Sequence, residues 1–314
     1  MLNEENFEVT PEIQGLRLDK WAAQQFNEFS RSYLAEQIKN GQILINGKQE
    51  NPNYKLRLAD KITVELESLE QEQESSLEPQ EGSLPIVYQH KHFLVIDKPA
   101  GLVVHPGAGV PNGTLANFLA WHFPQVLSLP NWGLIHRLDK DTSGLMVVAL
   151  TQEGYHELTQ QMLVRNIHRV YHALIIGNLR FGQIIHTKMS RDPHNRLKRA
   201  VTHAPLAKEA ITHVKVLQRF EKTTLVECTL ETGRTHQIRV HLEYIRHPII
   251  GEPLYSGSYP TKKLFHRQAL HATRLRFDNP WDENVVDLSS PLPSDMAELI
   301  ATQKPSSLSK NDDY

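Results

Sequence analysis

The chain has 314 residues, 39% of them hydrophobic and 22% charged, so it is long enough for about two domains of roughly 150 residues and can bury a core. Its one cysteine, Cys228, excludes an internal disulfide and a zinc site made of several cysteines, and no apolar run approaches the ~20 residues that span a bilayer. Taken as a whole-chain average, the formal net charge of -2 argues against a nucleic-acid binder, which usually carries a basic surplus.

The N-terminal part of the sequence predicts two helices and a small sheet. Apolar residues recur at helical spacing over 16–26. Ser30 is predicted to cap a second helix, which ends at Gly41. Two alternating stretches, 42–48 and 60–66, predict strands, and the first of them ends in an Asn-Gly turn. We therefore expect a small α/β module near the lower size limit of an independent domain.

An acidic segment, residues 67–83, separates this module from the rest of the chain. It holds six Glu and no Lys, Arg or aromatic residue, so it cannot bury enough apolar surface to offset its ordering entropy. We interpret it as a flexible linker, the alternative being a short solvated helix. The predicted domains are thus 12–66 and 84–301, followed by a polar, disordered tail over 302–314.

The large C-terminal part of the sequence is rich in predicted strands. They are 92–97, 102–105, 145–150, 170–176, 212–217, 223–230 and 274–277. The continuous apolar run 145–150 predicts a central strand. Helices are predicted over 154–164 and 237–246. Because strands and helices do not alternate regularly, we predict the α+β class with a mostly antiparallel mixed sheet.

The polar loop 133–144 is a candidate for chemistry because it leads directly into the predicted central strand. Asp139 lies between Arg137 and Lys140, and nearby positive charge favours the carboxylate form. An ionised Asp can act as a nucleophile or as a base. The alternative is a turn in which Asp139 or Asp141 caps backbone N–H groups.

A second polar stretch, 231–241, crowds basic and histidine side chains where a strand enters a helix. They are Arg234, His236, Arg239 and His241. His236, Gln237 and Arg239 cannot all face one way, and an arginine turned inward would need an anionic partner. Asp139 is the natural candidate for that partner. The alternative is a solvated basic face of the helix.

Other chemistry is only weakly indicated. Tyr171, inside an aliphatic strand, is either a core residue or a surface on which a base could stack. His136, Asp139 and Asp141 have a spacing that could suit a metal, but no helix aligns them. The sequence has no phosphate-binding or dinucleotide-binding glycine fingerprint.

Several motifs together resemble those of the RluA-type pseudouridine synthases, a likeness that covers about 84–300. They are residues 97–106, 136–145, 169–171, 233–241, 247–252 and 267–272. The N-terminal module is similar to the small RNA-binding module that a small-subunit ribosomal protein shares with bacterial tyrosyl-tRNA synthetases. The likeness is strongest to the branch of the family that carries this module and modifies helix 69 of 23S ribosomal RNA.

The resemblance implies an isomerisation of uridine to pseudouridine that needs no cofactor and no metal. It implies that Asp139 is the catalytic carboxylate, either attacking the sugar or removing a sugar proton to give a glycal. Tyr171 would stack on the flipped uracil, and Arg239 would pair with Asp139. Arg137 would fill the gap left by the extruded base. Extrusion from the stack costs a few kcal/mol, which binding elsewhere on the RNA must offset.

The charge becomes informative once it is divided along the chain. Residues 160–276 hold 20 Lys and Arg against 7 Asp and Glu, a net charge of +13 that the acidic linker hides in the average. A basic hairpin or loop over 190–199 could grip phosphates. The predicted RNA contacts are Arg31, Lys48, His136, Arg137, Lys140, Arg191, Arg196, Lys198, Arg199, Arg234 and His236.

We therefore expect a cytoplasmic, monomeric enzyme whose partner is large-subunit ribosomal RNA or its precursor particle, with no membrane. Three alternatives stay open. The target could be a transfer RNA or another ribosomal uridine. The protein could be a non-catalytic RNA-binding assembly factor. It could also be a metal-dependent RNA hydrolase that uses His136, Asp139 and Asp141.

Overall fold

The structure is a computed structural model, and it describes residues 4–26, 31–65, 77–107, 109–195, 197–204 and 207–306. The chain folds into two compact units, one comprising 1–79 with 119–133 and the other 80–118 with 134–314. The inclusion of 119–133 in the first unit has no counterpart in the sequence prediction. The predicted cap Ser30, the predicted RNA contact Arg196 and most of the predicted linker lie outside the described residues.

The first unit contains a four-stranded antiparallel sheet and two helices. The elements are β1 (Glu4–Glu8), α1 (Leu18–Gln25), α2 (Arg31–Asn40), β2 (Ile43–Ile45), β3 (Lys48–Gln49) and β4 (Lys61–Glu65). The strand order is β1-β4-β2-β3, and Trp21, Leu34 and Ile38 are buried in its core. Asn46 and Gly47 both have positive φ, as the predicted two-residue turn requires. β1 was not predicted, because its sequence is mostly Glu.

The second unit is built on one large sheet. Its strands are β5 (Ile86–Gln89), β6 (Phe93–Lys98), β7 (Ser143–Ala149), β8 (His168–Ile176), β9 (Gln183–Arg191), β10 (Arg199–Val201), β11 (Lys208–Arg219), β12 (Thr223–Leu230), β13 (Leu270–Asn279) and β14 (Asn284–Ser289). The order is β10-β9-β11-β12-β8-β13-β7-β6-β5, with β14 beside β13. Among the described strands, only β13 and β7 pair in parallel. The α+β class with a mostly antiparallel sheet is therefore confirmed.

Helices flank this sheet or connect its strands. They are α3 (Leu115–His122), α4 (Gln152–Leu163), α5 (Gln237–Tyr244) and α6 (Ser294–Ala301). α4 and α5 match the predicted helices to within two residues, whereas α3 and α6 were not predicted. Within the described part of the chain, none of the helices has the length and apolar character needed to cross a membrane.

Two boundaries differ from the sequence prediction. The stretch 102–105 is not a strand, because the carbonyls of Val103 and Val104 accept the N–H groups of Leu115 and Ala116 at the start of α3. The ordered chain also runs past the predicted end at 301. The N–H of Glu221 donates to the carbonyl of Lys304 at 2.9 Å, which ties this segment to the turn before β12.

Gly144 allows the loop 133–142 to enter the centre of the sheet. It pairs with Ala272 of β13 and has a φ of +113°, where side chains are strained. A Cβ built on Gly144 would lie 2.3 Å from the carbonyl oxygen of Ala272. The close approach of β7 and β13 at this point therefore requires glycine.

We expect Gly144→Ala to lower the free energy of unfolding by at least about 2 kcal/mol, because backbone atoms would have to move. Urea unfolding of the purified protein measures the change. Gly107→Ala is the matched control, since its φ is not in the left-handed region and its Cβ would meet open space. Equal stability of the two variants would contradict this account of β7.

Candidate active site

The loop 133–142 presents Asp139 at the end of the sheet where β7 begins. The N–H of Thr142 donates to the carbonyl of Asp139, which closes a turn, so part of the proposed turn alternative is present in the backbone. The Asp139 side chain itself caps no backbone group in this turn and is 18% exposed. It is therefore accessible to a bound molecule.

A chain of buried charged groups leads from the core to Asp139. Arg239 of α5 is 4% exposed, and its Nη1 donates to Oδ2 of Asp139 at 2.9 Å. Its Nε and Nη2 donate to the two oxygens of the fully buried Glu252, at 2.8 and 2.6 Å. This is the two-pronged pairing in which a guanidinium binds a carboxylate most strongly. The expected ion pair between Arg239 and Asp139 is thus present, and Glu252 holds the guanidinium in place through Nε and Nη2.

The charge of Arg239 is maintained by its partners. Burial alone would lower the pKa of the guanidinium, but the hydrogen bonds and charge of Glu252, together with Asp139, raise it above its ordinary value. Oε1 of Glu252 also accepts the N–H groups of Leu254 and Tyr255. Every polar atom of this pair therefore has a partner, as a buried ion pair needs.

Tyr171 lies in β8 between Cys228 of β12 and Ala272 of β13. It is 5% exposed, and burial raises the pKa of its phenol. The charge of Asp139 raises this pKa further, while that of Arg169 lowers it. Tyr171 is therefore a neutral phenol within electrostatic reach of Asp139.

His236 occupies the N-cap position of α5, where its side chain caps no backbone N–H, and it lies beside Asp139. Its Nε2 is 3.7 Å from Oδ1 of Asp139, and its Nδ1 is 2.6 Å from the hydroxyl of Tyr255. Burial lowers the pKa of His236. The sequence placed this histidine among the RNA contacts, whereas its two ring nitrogens face protein groups.

His136 also differs from the prediction that it contacts RNA. Its Nε2 accepts the N–H of Val147 in β7 at 3.1 Å, so the ring supports the loop from inside. Burial, with a smaller contribution from Arg169, lowers its pKa to about 3. A neutral, inward-facing imidazole supplies no charge for a phosphate, and its Nε2 is not free to bind a metal.

The other predicted RNA contacts fall in separate places. Arg137 and Lys140 are exposed on the Asp139 loop, and Arg234 is exposed just before α5. Arg191 is exposed at the end of β9, while Lys198 and Arg199 are half-buried at the start of β10. Arg31 and Lys48 are exposed on the first unit, where Arg31 also pairs with Asp19 at 2.8 Å.

Four cationic side chains line a groove of about 360 Å³ beside the β9–β10 hairpin. They are Arg191, Arg199, Lys208 and Arg234, and no carboxylate is among the lining residues. Lys208, the first residue of β11, was not among the predicted RNA contacts. We call this cavity the basic groove.

Two buried cations that the sequence did not single out anchor the Asp139 loop. Nζ of Lys98 donates to the carbonyls of Pro99, Leu102 and Lys140, all within 2.9 Å. Burial lowers the pKa of Lys98 to about 7, against the charges of Asp141 and Asp139. Arg267 donates to the carbonyl of Asp141 and pairs with Asp295 of α6. Contacts of this kind leave no periodic signal in a sequence.

The side chains of His136, Asp139 and Asp141 do not form the cluster that the metal-dependent alternative requires. In the part of the chain that is described, no three His, Cys, Asp or Glu residues lie where they could hold one metal ion. Asp139 faces Arg239 and His236, and His136 faces β7. The proposed metal ligands therefore do not converge.

Comparisons with known proteins agree with this geometry. The family described as RNA pseudouridylate synthase matches residues 92–244, and the S4 domain matches 16–62. A Pseudomonas aeruginosa protein named "Ribosomal large subunit pseudouridine synthase D" is 43% identical over 94% of this chain and 94% of its own length. The protein of the same name from Xanthomonas campestris is 42% identical over 91% of this chain and 88% of its own.

Among solved structures, "Human RNA Pseudouridylate Synthase Domain Containing 1" superposes with a TM-score of 0.58 and 26% identity. It covers 74% of this chain and 94% of its own.

We expect Glu252→Gln to lower the free energy of unfolding by about 3 kcal/mol. If the Gln oxygen accepts the Leu254 and Tyr255 amides, its NH₂ group must face the N–H of Arg239, so two donors meet in a buried site. Urea unfolding measures the loss. Glu298→Gln, on the exposed surface of α6, should change stability by less than about 0.5 kcal/mol. Equal effects of the two substitutions would contradict a structural role for Glu252.

Proposed function

The chain belongs to the RluA-type family of pseudouridine synthases, and we propose that it isomerises uridines of large-subunit ribosomal RNA with Asp139 as the catalytic carboxylate. As a pseudouridine synthase with an S4 domain, it is an isomerase that acts on RNA. The observation that carries the assignment of Asp139 is its ion pair with the buried Arg239. That pair holds the carboxylate where the loop 133–142 leads into β7.

The reaction breaks the bond between C1′ and N1 of the uridine and forms one between C1′ and C5. The uracil rotates between the two steps, the proton on C5 leaves, and N1 takes up a proton, so that the product is an isomer of the substrate. Asp139 either attacks C1′ or removes a sugar proton to give a glycal. In either route Arg239 holds Oδ2, so the geometry of the carboxylate is set before the RNA arrives.

Tyr171 and Arg137 act on the nucleobase side of the reaction. The neutral phenol of Tyr171 offers a ring on which the extruded uracil stacks, and in this proposal it also helps the C5 proton to leave. Arg137 is exposed two residues before Asp139, so its side chain can enter the gap that the uracil leaves. Opening the stack costs a few kcal/mol, which contacts elsewhere must offset.

The basic groove binds RNA phosphates in this proposal. Four cations around one cavity attract the backbone regardless of sequence and hold the strand while the base turns out. The S4 domain adds a second RNA-binding surface, to which the exposed Arg31 and Lys48 contribute. Together these surfaces supply binding energy away from the reacting uridine.

The target we propose is helix 69 of 23S ribosomal RNA. Two relatives whose names specify the ribosomal large subunit match over nine-tenths of this chain, including its S4 domain. Another ribosomal uridine or a transfer RNA is the competing target. A map of pseudouridines in cells with and without the gene separates these targets.

We expect Asp139→Asn to abolish pseudouridine formation and to leave RNA affinity within about threefold, because the amide keeps the shape of the side chain but can neither attack C1′ nor take a sugar proton. The measurement is a pseudouridine map of ribosomal RNA from gene-deleted cells carrying each variant. The wild type should restore pseudouridine in helix 69, and Asp139→Asn should not.

Asp141→Asn is the matched control on the same loop, and it should restore the modification. Restoration by Asp139→Asn would favour a non-catalytic assembly factor. Strand cleavage that a chelator stops and that both substitutions abolish would favour the metal-dependent hydrolase.

We expect the double substitution Arg191→Ala, Lys208→Ala to weaken RNA binding and flatten its salt dependence. Each phosphate contact that is lost reduces the slope of log affinity against log salt by roughly 0.7–0.9. Filter binding over a salt series measures the slope. Lys215→Ala, Lys222→Ala removes two exposed charges that do not line the groove and should leave the slope unchanged. Equal slopes for both double variants would exclude the groove as the phosphate site.

A further inference from the structure

His236 adopts a backbone conformation that residues other than glycine seldom take. At the N-cap of α5 it has φ 60° and ψ 18°, the left-handed region. Strained residues of this kind cluster at functional sites, where the surrounding structure holds them in place. In this conformation the imidazole lies between Asp139 on one side and Tyr255 on the other.

The hydrogen bonds around Tyr255 fix the proton on His236. The hydroxyl oxygen of Tyr255 accepts the backbone N–H of Arg199 at 2.8 Å. Burial raises the pKa of Tyr255, so its phenol keeps its one hydrogen, and in the tautomer that we infer this hydrogen is donated to Nδ1 of His236. The ring proton of the neutral imidazole is then on Nε2, 3.7 Å from Oδ1 of Asp139.

Asp139 is thereby faced by two donors, one on each oxygen. Arg239 binds Oδ2 at 2.9 Å, and the N–H of His236 faces Oδ1. The gap of 3.7 Å needs to close by less than about 1 Å to become a hydrogen bond. Catalytic hydrogen bonds are often long in the free enzyme and shorten when substrate binds.

His236 and Tyr255 together connect Asp139 to the β9–β10 hairpin. Arg199 opens β10 and lines the basic groove, and its N–H is the group that Tyr255 accepts. The ammonium of Lys198 lies 6.0 Å from the centre of the Tyr255 ring. If the hairpin moves when it binds a phosphate, its hydrogen bond to Tyr255 would therefore shift the Tyr255 side chain.

We propose that Tyr255 and His236 are positioning residues, in which Tyr255 sets the tautomer of His236 and His236 donates from Nε2 to the second oxygen of Asp139 once RNA fills the basic groove. This inference rests on the proposed catalytic role of Asp139. It assigns His236 to the carboxylate and removes it from the RNA-contact surface. It also assigns Tyr255 a role in setting the rate of pseudouridine formation, although no sequence pattern singled out this residue.

The test compares Tyr255→Phe, His236→Leu and His236→Gln in the full-length protein under single-turnover conditions. The readout is release of tritium from C5-labelled uridine in a large-subunit RNA fragment. His236→Leu should lower the rate at saturating RNA by about tenfold or more and leave the Kd for RNA within twofold. His236→Gln keeps an N–H within reach of Asp139 and should recover most of that rate.

The pH profile isolates Tyr255. Four charged groups act on His236, namely Asp139, Arg239, Glu252 and Arg199. Burial lowers the pKa of His236, and the inferred hydrogen bond from Tyr255 occupies Nδ1. Tyr255→Phe leaves Nδ1 able to take a proton, so the imidazole becomes easier to protonate. The rate should then fall toward acidic pH, because a cationic imidazole beside Asp139 makes the carboxylate a weaker nucleophile or base. Adding His236→Gln to Tyr255→Phe should remove this acid limb.

Each alternative outcome overturns the inference in a recognisable way. Unchanged rates and pH profiles in both Tyr255→Phe and His236→Leu would overturn it while leaving the proposed function intact, provided Asp139→Asn is inactive. An unchanged saturated rate with weakened RNA affinity in His236→Leu would return His236 to the RNA-contact surface. If His236→Leu fails to fold, Tyr255→Phe and His236→Gln decide the matter. Full activity of Asp139→Asn would instead refute the proposed function itself.

Discussion

The site depends on one buried carboxylate. Glu252 is fully shielded from water, so it is tolerable only while the two-pronged hydrogen bond from Arg239 and two backbone N–H groups neutralise and satisfy it. An N–H on Nη1 of the same guanidinium donates to Asp139. The direction in which the proposed catalytic group faces is therefore set by a residue that no substrate touches.

The rest of the second unit keeps Asp139 within reach of that guanidinium. Lys98 ties Lys140 of the Asp139 loop to the end of β6, Arg267 ties the adjacent Asp141 to α6, and Gly144 lets β7 lie against β13. α5, which lies between β12 and β13 in the chain, supplies Arg239. A rigid sheet thus carries a loop whose reactive side chain is partly exposed, an arrangement that holds catalytic groups in place before substrate binds.

Much of this organisation could be predicted from the sequence, because the spacing of apolar residues shows which side of a strand or helix is buried, and turn-forming residues mark where these elements end. The strand β7, the helix α5 and the pairing of Arg239 with Asp139 follow from apolar runs and from the cost of an unpaired buried charge. The burial of Glu252 and the inward turn of His136 could not be predicted, because the spacing of apolar residues does not show which way a polar side chain in a loop faces. The stretch 102–105 was predicted wrongly, since tertiary bonds to α3 replaced strand pairing.

The most direct test of the central claim is the single-turnover rate of a double variant. If Glu252 acts on catalysis only through Arg239, the effects of Arg239→Gln and Glu252→Gln on the rate are not additive. Each single variant should be slow, and the double variant should be no slower than Arg239→Gln alone. Tritium release from C5-labelled uridine at saturating RNA, with folding checked by circular dichroism, gives the three rates. A double variant whose loss equals the product of the two single losses would contradict the account.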